Sequence, residues 1–338
     1  MKKACALVFA AAIAVIGIRA VAQSPDGGRA AGGRGRAQTP IVYPKPDASA
    51  VRSKSGQWKV SDDWATLPAG LKVETPAPGP PWGVVSAATS DAKGVIYVLR
   101  REEIPILAFE KGKLIKQFGQ GLYKWPHGIR VDRAGYLWTI DGEDNIVYKM
   151  DLSQNNKVVL TLGKRGVTGD NDSHDAFNRP TDIAFAPNGD FFITDGYGNS
   201  RVAKFAKDGR FIRTWGSKGT APGQFNLPHA IVIDSRNRVI VGDRTNKRVQ
   251  VFDLDGTFLE AWTDLGAPYG LAIASDDTLY TSDADAGTIT VSKNGRVLDV
   301  IENLGRPHEI TLDPSGAIYM GDVRAYRARK IYKAGAGN

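Results

Sequence analysis

Cysteine is nearly absent. The chain of 338 residues holds one, Cys5, inside the apolar N-terminal stretch, so the rest of the chain has neither a disulfide framework nor thiol chemistry available to it. Histidine is scarce as well, with four copies. Past the N-terminal stretch no segment sustains helical periodicity, which predicts a nearly all-β protein. A large excess of one charge sign is also lacking. The formal net charge of +8 falls to +5 without Lys2, Lys3 and Arg19, and +2 of that sits in Arg29, Arg34, Arg36 and Lys45 against Asp26 and Asp47. So small a remainder does not define a nucleic-acid surface.

Two targeting and linker features are present. A basic start (Lys2, Lys3), an apolar run from Ala4 to Ile18 and an A-V-A ending at Ala22 have the pattern of a cleavable export signal rather than a membrane anchor. The expected organisation is a signal over 1–22, a flexible Gly/Arg/Pro-rich linker over 23–56 and a folded body over 57–338. The expected product is an exported monomer, periplasmic or extracellular, with no stable membrane anchor and no nucleic-acid partner.

The body repeats itself. Pro81, Pro126, Pro180, Pro228, Pro268 and Pro307 each open a similar stretch, as in PHGIRVDRAGYLWTIDG and PTDIAFAPNGDFFITDG, at intervals of 39 to 54 residues. That is the period of a four-stranded propeller blade. Within one copy, IAFAP, FFITD, RVAKFAK and FIRTWG are four short strands separated by turn residues. The fold class is therefore an all-β, six-bladed β-propeller. The sixth copy ends one strand short, and LKVETP at 71–76 is predicted to supply the missing strand and close the ring, which removes exposed edges.

Residues that recur in every blade belong to the scaffold, whereas residues that occur in some blades mark a site. Asp141, Asp195, Asp243, Asp283 and Asp322 recur blade after blade and are expected to bond turn amides and the repeat arginine. The residue after each proline is instead Trp82, His127, Thr181, His229, Tyr269 and His308. Histidine thus falls in blades two, four and six, on the innermost strands. Three imidazoles from three symmetric directions suit a metal, with one coordination position left for a substrate. Zinc, iron, copper and nickel all accept such ligands. His174 lies in the insertion GKRGVTGDNDSHDAFN, out of this frame, and reads as a loop residue.

Two resemblances follow from these residues. GYGNSRVAKF and RTNKRVQVF resemble the NHL repeat, whose Asn-x-Arg step starts the third strand. From about residue 80 onward, and most clearly over FNRPTDIAFAPNGDFFITDGYGNSRVAKF, the chain resembles the catalytic domain of peptidyl-α-hydroxyglycine α-amidating lyases. That resemblance implies zinc on His127, His229 and His308, a catalytic tyrosine at Tyr197, and active-site arginines at Arg244 and Arg101, the last with an ambiguous register because Arg100 is its neighbour. It also implies a peptide or small-molecule substrate ending in a carboxylate, cleaved at its N–Cα bond to an amide and glyoxylate. A structural calcium is implied too, with Glu309 replacing the family's aspartate and Ile129 matching a carbonyl donor.

The sequence departs from that family in several places. Arg306, two residues before the third histidine, brings a cation towards the metal. Gly198 and Ile240 stand where the animal enzymes have disulfide cysteines, and no second domain carries the His and Met sets of a copper monooxygenase. Two other readings use the same fold. One is a non-catalytic NHL propeller that binds a peptide, glycan or protein. The other is a calcium-dependent hydrolase of the lactonase type, for which the first-strand frame offers only Asp182 and Glu309 as acids.

Overall fold

The computed structural model describes residues 51–71, 73, 82–324 and 326–335. The expected export signal and the expected linker up to residue 50 lie outside the described residues. Six antiparallel sheets succeed one another along the chain. Their first strands are Val85–Ser90, Pro126–Val131, Pro180–Phe185, Pro228–Ile233, Gly270–Ile273 and Pro307–Leu312. The six-bladed β-propeller is thus as the repeat predicted. Among the described residues the one helical segment is a 3-10 turn, Leu152–Gln154, capped by the Asp151 carboxylate.

Burial follows position in the blade. Second and third strands such as Phe191–Asp195 and Arg201–Phe205 are buried along their whole length, because neighbouring blades cover both faces. The outer strand Lys113–Phe118 alternates instead, since one of its faces meets water. The core is accordingly divided into clusters between adjacent blades. Trp138 and Ile140 of blade two, for example, meet Ile183, Phe191 and Phe205 of blade three. Each large apolar side chain buried this way stabilises the fold by about 1.5–3 kcal/mol.

Ring closure is of the expected kind but not in the expected place. The strand antiparallel to Arg327–Lys333 is Trp58–Ser61, with Trp58 opposite Lys333. Leu71 and Val73 of the LKVETP segment are not in a strand, and the rest of that segment lies outside the described residues. Trp58 is the better closing residue because its indole reaches a second blade. It stands edge-on to Tyr280 at 6.1 Å between ring centroids and donates to Asp299 Oδ2 at 3.1 Å. Arg52–Ser53 adds a further strand to blade five, opposite Glu302 and Ile301, inside the span expected as linker.

Pairing register also corrects the frame of blade one. Pro126, Pro180, Pro228 and Pro307 sit opposite Asp141, Asp195, Asp243 and Asp322, but in blade one Val85 sits opposite Arg100. The counterpart of the frame histidines is therefore Ser86, not Trp82. Trp64 and Phe109 pack against Trp82, which is a core residue. The recurrent aspartates bond turn amides as their repetition implied, and Asp195 and Asp243 hold the repeat arginine as well. Asp195, for instance, accepts from the Asn178 amide at 2.9 Å and from Arg201 Nε at 3.0 Å.

Candidate metal centre

A bulge lies at each histidine. The register slips between Pro126 and Ile129, between Pro228 and Ala230, and between Pro307 and Ile310. An extra residue at that point re-aims a side chain from the sheet face, and here His127, His229 and His308 turn towards one another. Their ring centroids are 4.8, 5.0 and 5.0 Å apart. One nitrogen from each lies within 4.8 Å of those from the other two. Gly128 permits the tight packing behind the first of them, because a Cβ there would lie 2.6 Å from the Thr181 carbonyl oxygen.

The other ring nitrogens are engaged by the next blade. His127 Nδ1 donates to Thr181 O at 2.9 Å, His229 Nδ1 to Tyr269 O at 2.6 Å, and His308 Nδ1 to Ser86 O at 2.8 Å. Thr181, Tyr269 and Ser86 occupy the histidine frame in blades three, five and one. The alternation seen in the sequence thus has a physical reason, since each ligand blade is followed by a blade whose backbone orients the imidazole. With Nδ1 donating, Nε2 carries the lone pair, which is the tautomer a metal needs.

All three rings are buried, and burial sets their charge. It pushes His127 and His229 well below the ordinary histidine value, with the His308 imidazole and the Arg244 cation helping at both and the Arg101 cation at His127. His308 falls to about 3, through burial first and Arg101 second. Three neutral imidazoles with converging Nε2 atoms fit a zinc or iron ion.

Tyr197 joins this centre from blade three. Its hydroxyl lies 3.0 Å from His229 Nε2, 3.3 Å from His127 Nε2 and 3.3 Å from Arg244 Nη1. The preceding Gly196 is obligatory there, because a Cβ would sit 1.9 Å from Pro228 O. Arg244 continues outward to Tyr269, donating to its hydroxyl at 2.8 Å, and that hydroxyl donates to Asp285 at 3.1 Å.

The two arginines of blade one separate cleanly. Arg100 is fully buried and donates to Ile104 O and Trp82 O. Arg101, in the same register as Arg244, lies with its guanidinium 4.5 Å from the centre of the Trp125 ring. Trp125 in turn stands 5.1 Å from the His127 ring and 5.2 Å from Tyr197. Arg306 reaches outward to Asp285 Oδ1 at 2.9 Å, so a carboxylate balances the cation flagged by the sequence. His174 is exposed and stacks on Phe211 at 4.2 Å.

Sequence reading missed Trp125, although the W-P-H step places it beside the frame. It also missed Arg179, whose guanidinium lies 5.3 Å from the same indole. Arg130 was missed too, the one arginine on the first strand of blade two, three residues after His127. Its Nε and Nη2 donate to the two carboxylate oxygens of Asp182 at 2.8 and 2.6 Å. It also donates to Ile310 O at 2.9 Å and Leu271 O at 3.2 Å, and meets Glu309 Oε2 at 3.5 Å. Burial and the nearby Asp182 charge hold the Glu309 carboxyl well above the usual carboxylate range, with Arg130 opposing. Ile129 is buried one residue before this cation. Of the hard oxygens expected for calcium, Glu309 Oε2 already faces this guanidinium, which does not suit a second cation beside it, while Glu309 Oε1 is buried without a hydrogen-bond partner.

Fold and repeat together define a six-bladed NHL-type β-propeller, here one with three histidines converging in its channel. A sequence family described as a 6-bladed beta-propeller matches residues 176–266. Peptidyl-glycine alpha-amidating monooxygenase B of Xenopus laevis is 33% identical over 236 residues, covering 63% of this chain and 27% of that protein. A probable peptidyl-alpha-hydroxyglycine alpha-amidating lyase of Caenorhabditis elegans is 29% identical over 252 residues, covering 69% and 71%. Human NHL repeat-containing protein 3 is 29% identical over 269 residues, covering 72% and 77%. The chain spans about a quarter of the length of the monooxygenases it matches. A solved streptogramin B lyase superposes with a TM-score of 0.58 at 14% identity, covering 82% of this chain and 98% of that one, and shows the shared fold alone. The chain is thus a six-bladed β-propeller similar to NHL repeat proteins and to the amidating lyases.

Proposed function

We propose that this chain is an exported, metal-dependent carbon–nitrogen lyase that cleaves the N–Cα bond of a peptide or small amide ending in α-hydroxyglycine. The carrying observation is the convergence of three neutral imidazole Nε2 atoms beside the Tyr197 hydroxyl and Arg244. A zinc or iron ion on these nitrogens would supply Lewis acidity to the substrate hydroxyl.

The protein's own groups account for the proton movements. Tyr197, as phenolate, takes the hydroxyl proton, and the freed oxygen lone pair forms the C=O of glyoxylate as the N–Cα bond breaks. The bond's electron pair goes to the amide nitrogen. That nitrogen takes the proton back from Tyr197, so the phenolate is restored and atoms balance. Arg244, 3.3 Å from the phenol oxygen, provides the counter-charge. Arg101, whose Nε donates to Pro126 O and whose guanidinium lies over Trp125, would take the substrate carboxylate on its two Nη groups.

The test is metal content by plasma mass spectrometry together with glyoxylate release from an α-hydroxyglycyl peptide, on chain purified without a His-tag. About one zinc or iron per chain, lost in His127→Ala/His229→Ala together with glyoxylate release, is expected. A chain that takes up no transition metal even on reconstitution would replace this reading with that of a binding propeller. The calcium-dependent hydrolase reading is disfavoured by the engagement of Asp182 and Glu309 with Arg130.

A further inference from the structure

We propose that the guanidinium of Arg130 is the resident cation of the propeller channel, doing the structural work of a divalent ion so that this chain binds no calcium there. The location is central. Arg130 follows His127 by three residues, Asp182 follows Thr181, whose carbonyl orients His127, and Glu309 follows His308. All of them lie on first strands.

The contacts reach around the ring. From blade two, Arg130 donates to Asp182 of blade three, Leu271 O of blade five, and Ile310 O and Glu309 of blade six. Asp182 Oδ2 also accepts the Ile231 amide of blade four at 3.1 Å. Arg130 therefore ties four of the six blades directly, and its ion pair with Asp182 brings in a fifth. A fixed ion in a propeller channel would gather carboxylates and backbone carbonyls from several first strands in the same way, with oxygens only. Here both Asp182 oxygens, the Leu271 and Ile310 carbonyls and Glu309 Oε2 face N–H donors of the guanidinium, which leaves Glu309 Oε1 alone without one. A second cation among them would face Arg130 at a few ångströms in a dry site, where like-charge repulsion is poorly screened.

The geometry also says what happens when the arginine is removed. Arg130→Met leaves two carboxyls and two backbone carbonyls around a vacated space, a set of hard oxygens suited to calcium. Glu309 Oε1, buried and without a hydrogen-bond partner, adds a further lone pair to that set.

The experiment measures bound calcium by mass spectrometry after dialysis and melting temperature in chelator and in millimolar calcium, on the full chain. For the wild type the expected result is no retained calcium and the same melting temperature in both media. For Arg130→Met a melting temperature several degrees lower in chelator is expected, partly restored by calcium. The double variant Arg130→Met/Glu309→Gln should lose that restoration. About one retained calcium per wild-type chain, with a melting temperature that falls in chelator, would overturn the proposal. Should Arg130→Met fail to fold, Arg130→Lys keeps a cation in place. It is expected to fold and remain indifferent to calcium, and a calcium-dependent melting temperature in that variant would count against the assignment.

Discussion

The Nδ1 of His308 donates at 2.8 Å to the backbone carbonyl of Ser86, a link across 222 residues that joins the last blade to the first. The third imidazole of the centre is therefore aimed by a residue that reaches it only when the ring is closed. Orientation of the ligand set and closure of the propeller are one structural event.

Closure should for that reason be readable at the metal. Trp58→Ala removes a buried indole that spans blades five and six, and is expected to cost about 3–5 kcal/mol of stability. Melting temperature checks the stability, and metal retained after dialysis checks the coupling. Retention should fall with the melting temperature, while an unchanged metal content would show that Ser86 holds His308 without the closing strand.

Tyr197→Phe deletes a hydroxyl that sits 3.0 Å from His229 Nε2 and 3.3 Å from Arg244. Turnover of an α-hydroxyglycyl peptide should drop by about 10²–10⁴-fold, the usual scale for a lost general base. Metal content should stay the same. Unaltered turnover would make Tyr197 a packing residue of the blade edge.

Arg100 and Arg101 should part company. Arg101→Gln is expected to raise KM and lower kcat/KM by about 10–100-fold, the worth of a charged hydrogen bond to a carboxylate, at nearly constant melting temperature. Arg100→Met leaves the carbonyls of Ile104 and Trp82 unpaired in the core, and should cost stability of about 1–3 kcal/mol instead. Kinetics beside thermal melts separates the two.

The metal-free protein should weaken in acid. The three buried imidazoles stay neutral in the fold, with His308 at about 3, whereas the unfolded chain protonates near 6.5. Between those values the unfolded state binds the extra protons, so stability falls as pH drops, by up to about 1.4 kcal/mol per pH unit for each ring. Glu309 acts in the opposite sense. Its folded carboxyl keeps a proton that the unfolded chain releases above 4.5, so that contribution declines as pH rises. Melting temperatures in chelator from about pH 7 to pH 5 should therefore fall, and His308→Gln should flatten the slope. An equal slope in both proteins would mean that this ring titrates alike in the two states.

Repeat spacing and the frame of the prolines were enough to read the blades, because a propeller places one turn and one strand start at each period. They also showed that His127, His229 and His308 share a frame in alternate blades. The same frame failed in blade one, where Trp82 follows a proline but Ser86 occupies the equivalent bulge. Pairing register, which a proline alone does not fix, decides that position. Closure was misplaced for a related reason. Several short apolar segments precede the first blade, and which of them pairs is decided by where Trp58 and Trp64 bridge neighbouring blades, Trp58 between blades five and six and Trp64 between blades six and one.

Local chemistry written along the chain therefore determined the six blades, the scaffold aspartates and the three imidazoles, since each depends on residues close in sequence or on a period. What the tertiary structure alone decided is which groups share a point in space. It sent Arg100 into the core and Arg101 to the site, turned Arg306 out to Asp285, and seated Arg130 among Asp182, Glu309 and two carbonyls. Those outcomes follow from side chains of distant blades competing for the same buried oxygens, a competition that no single stretch of sequence contains.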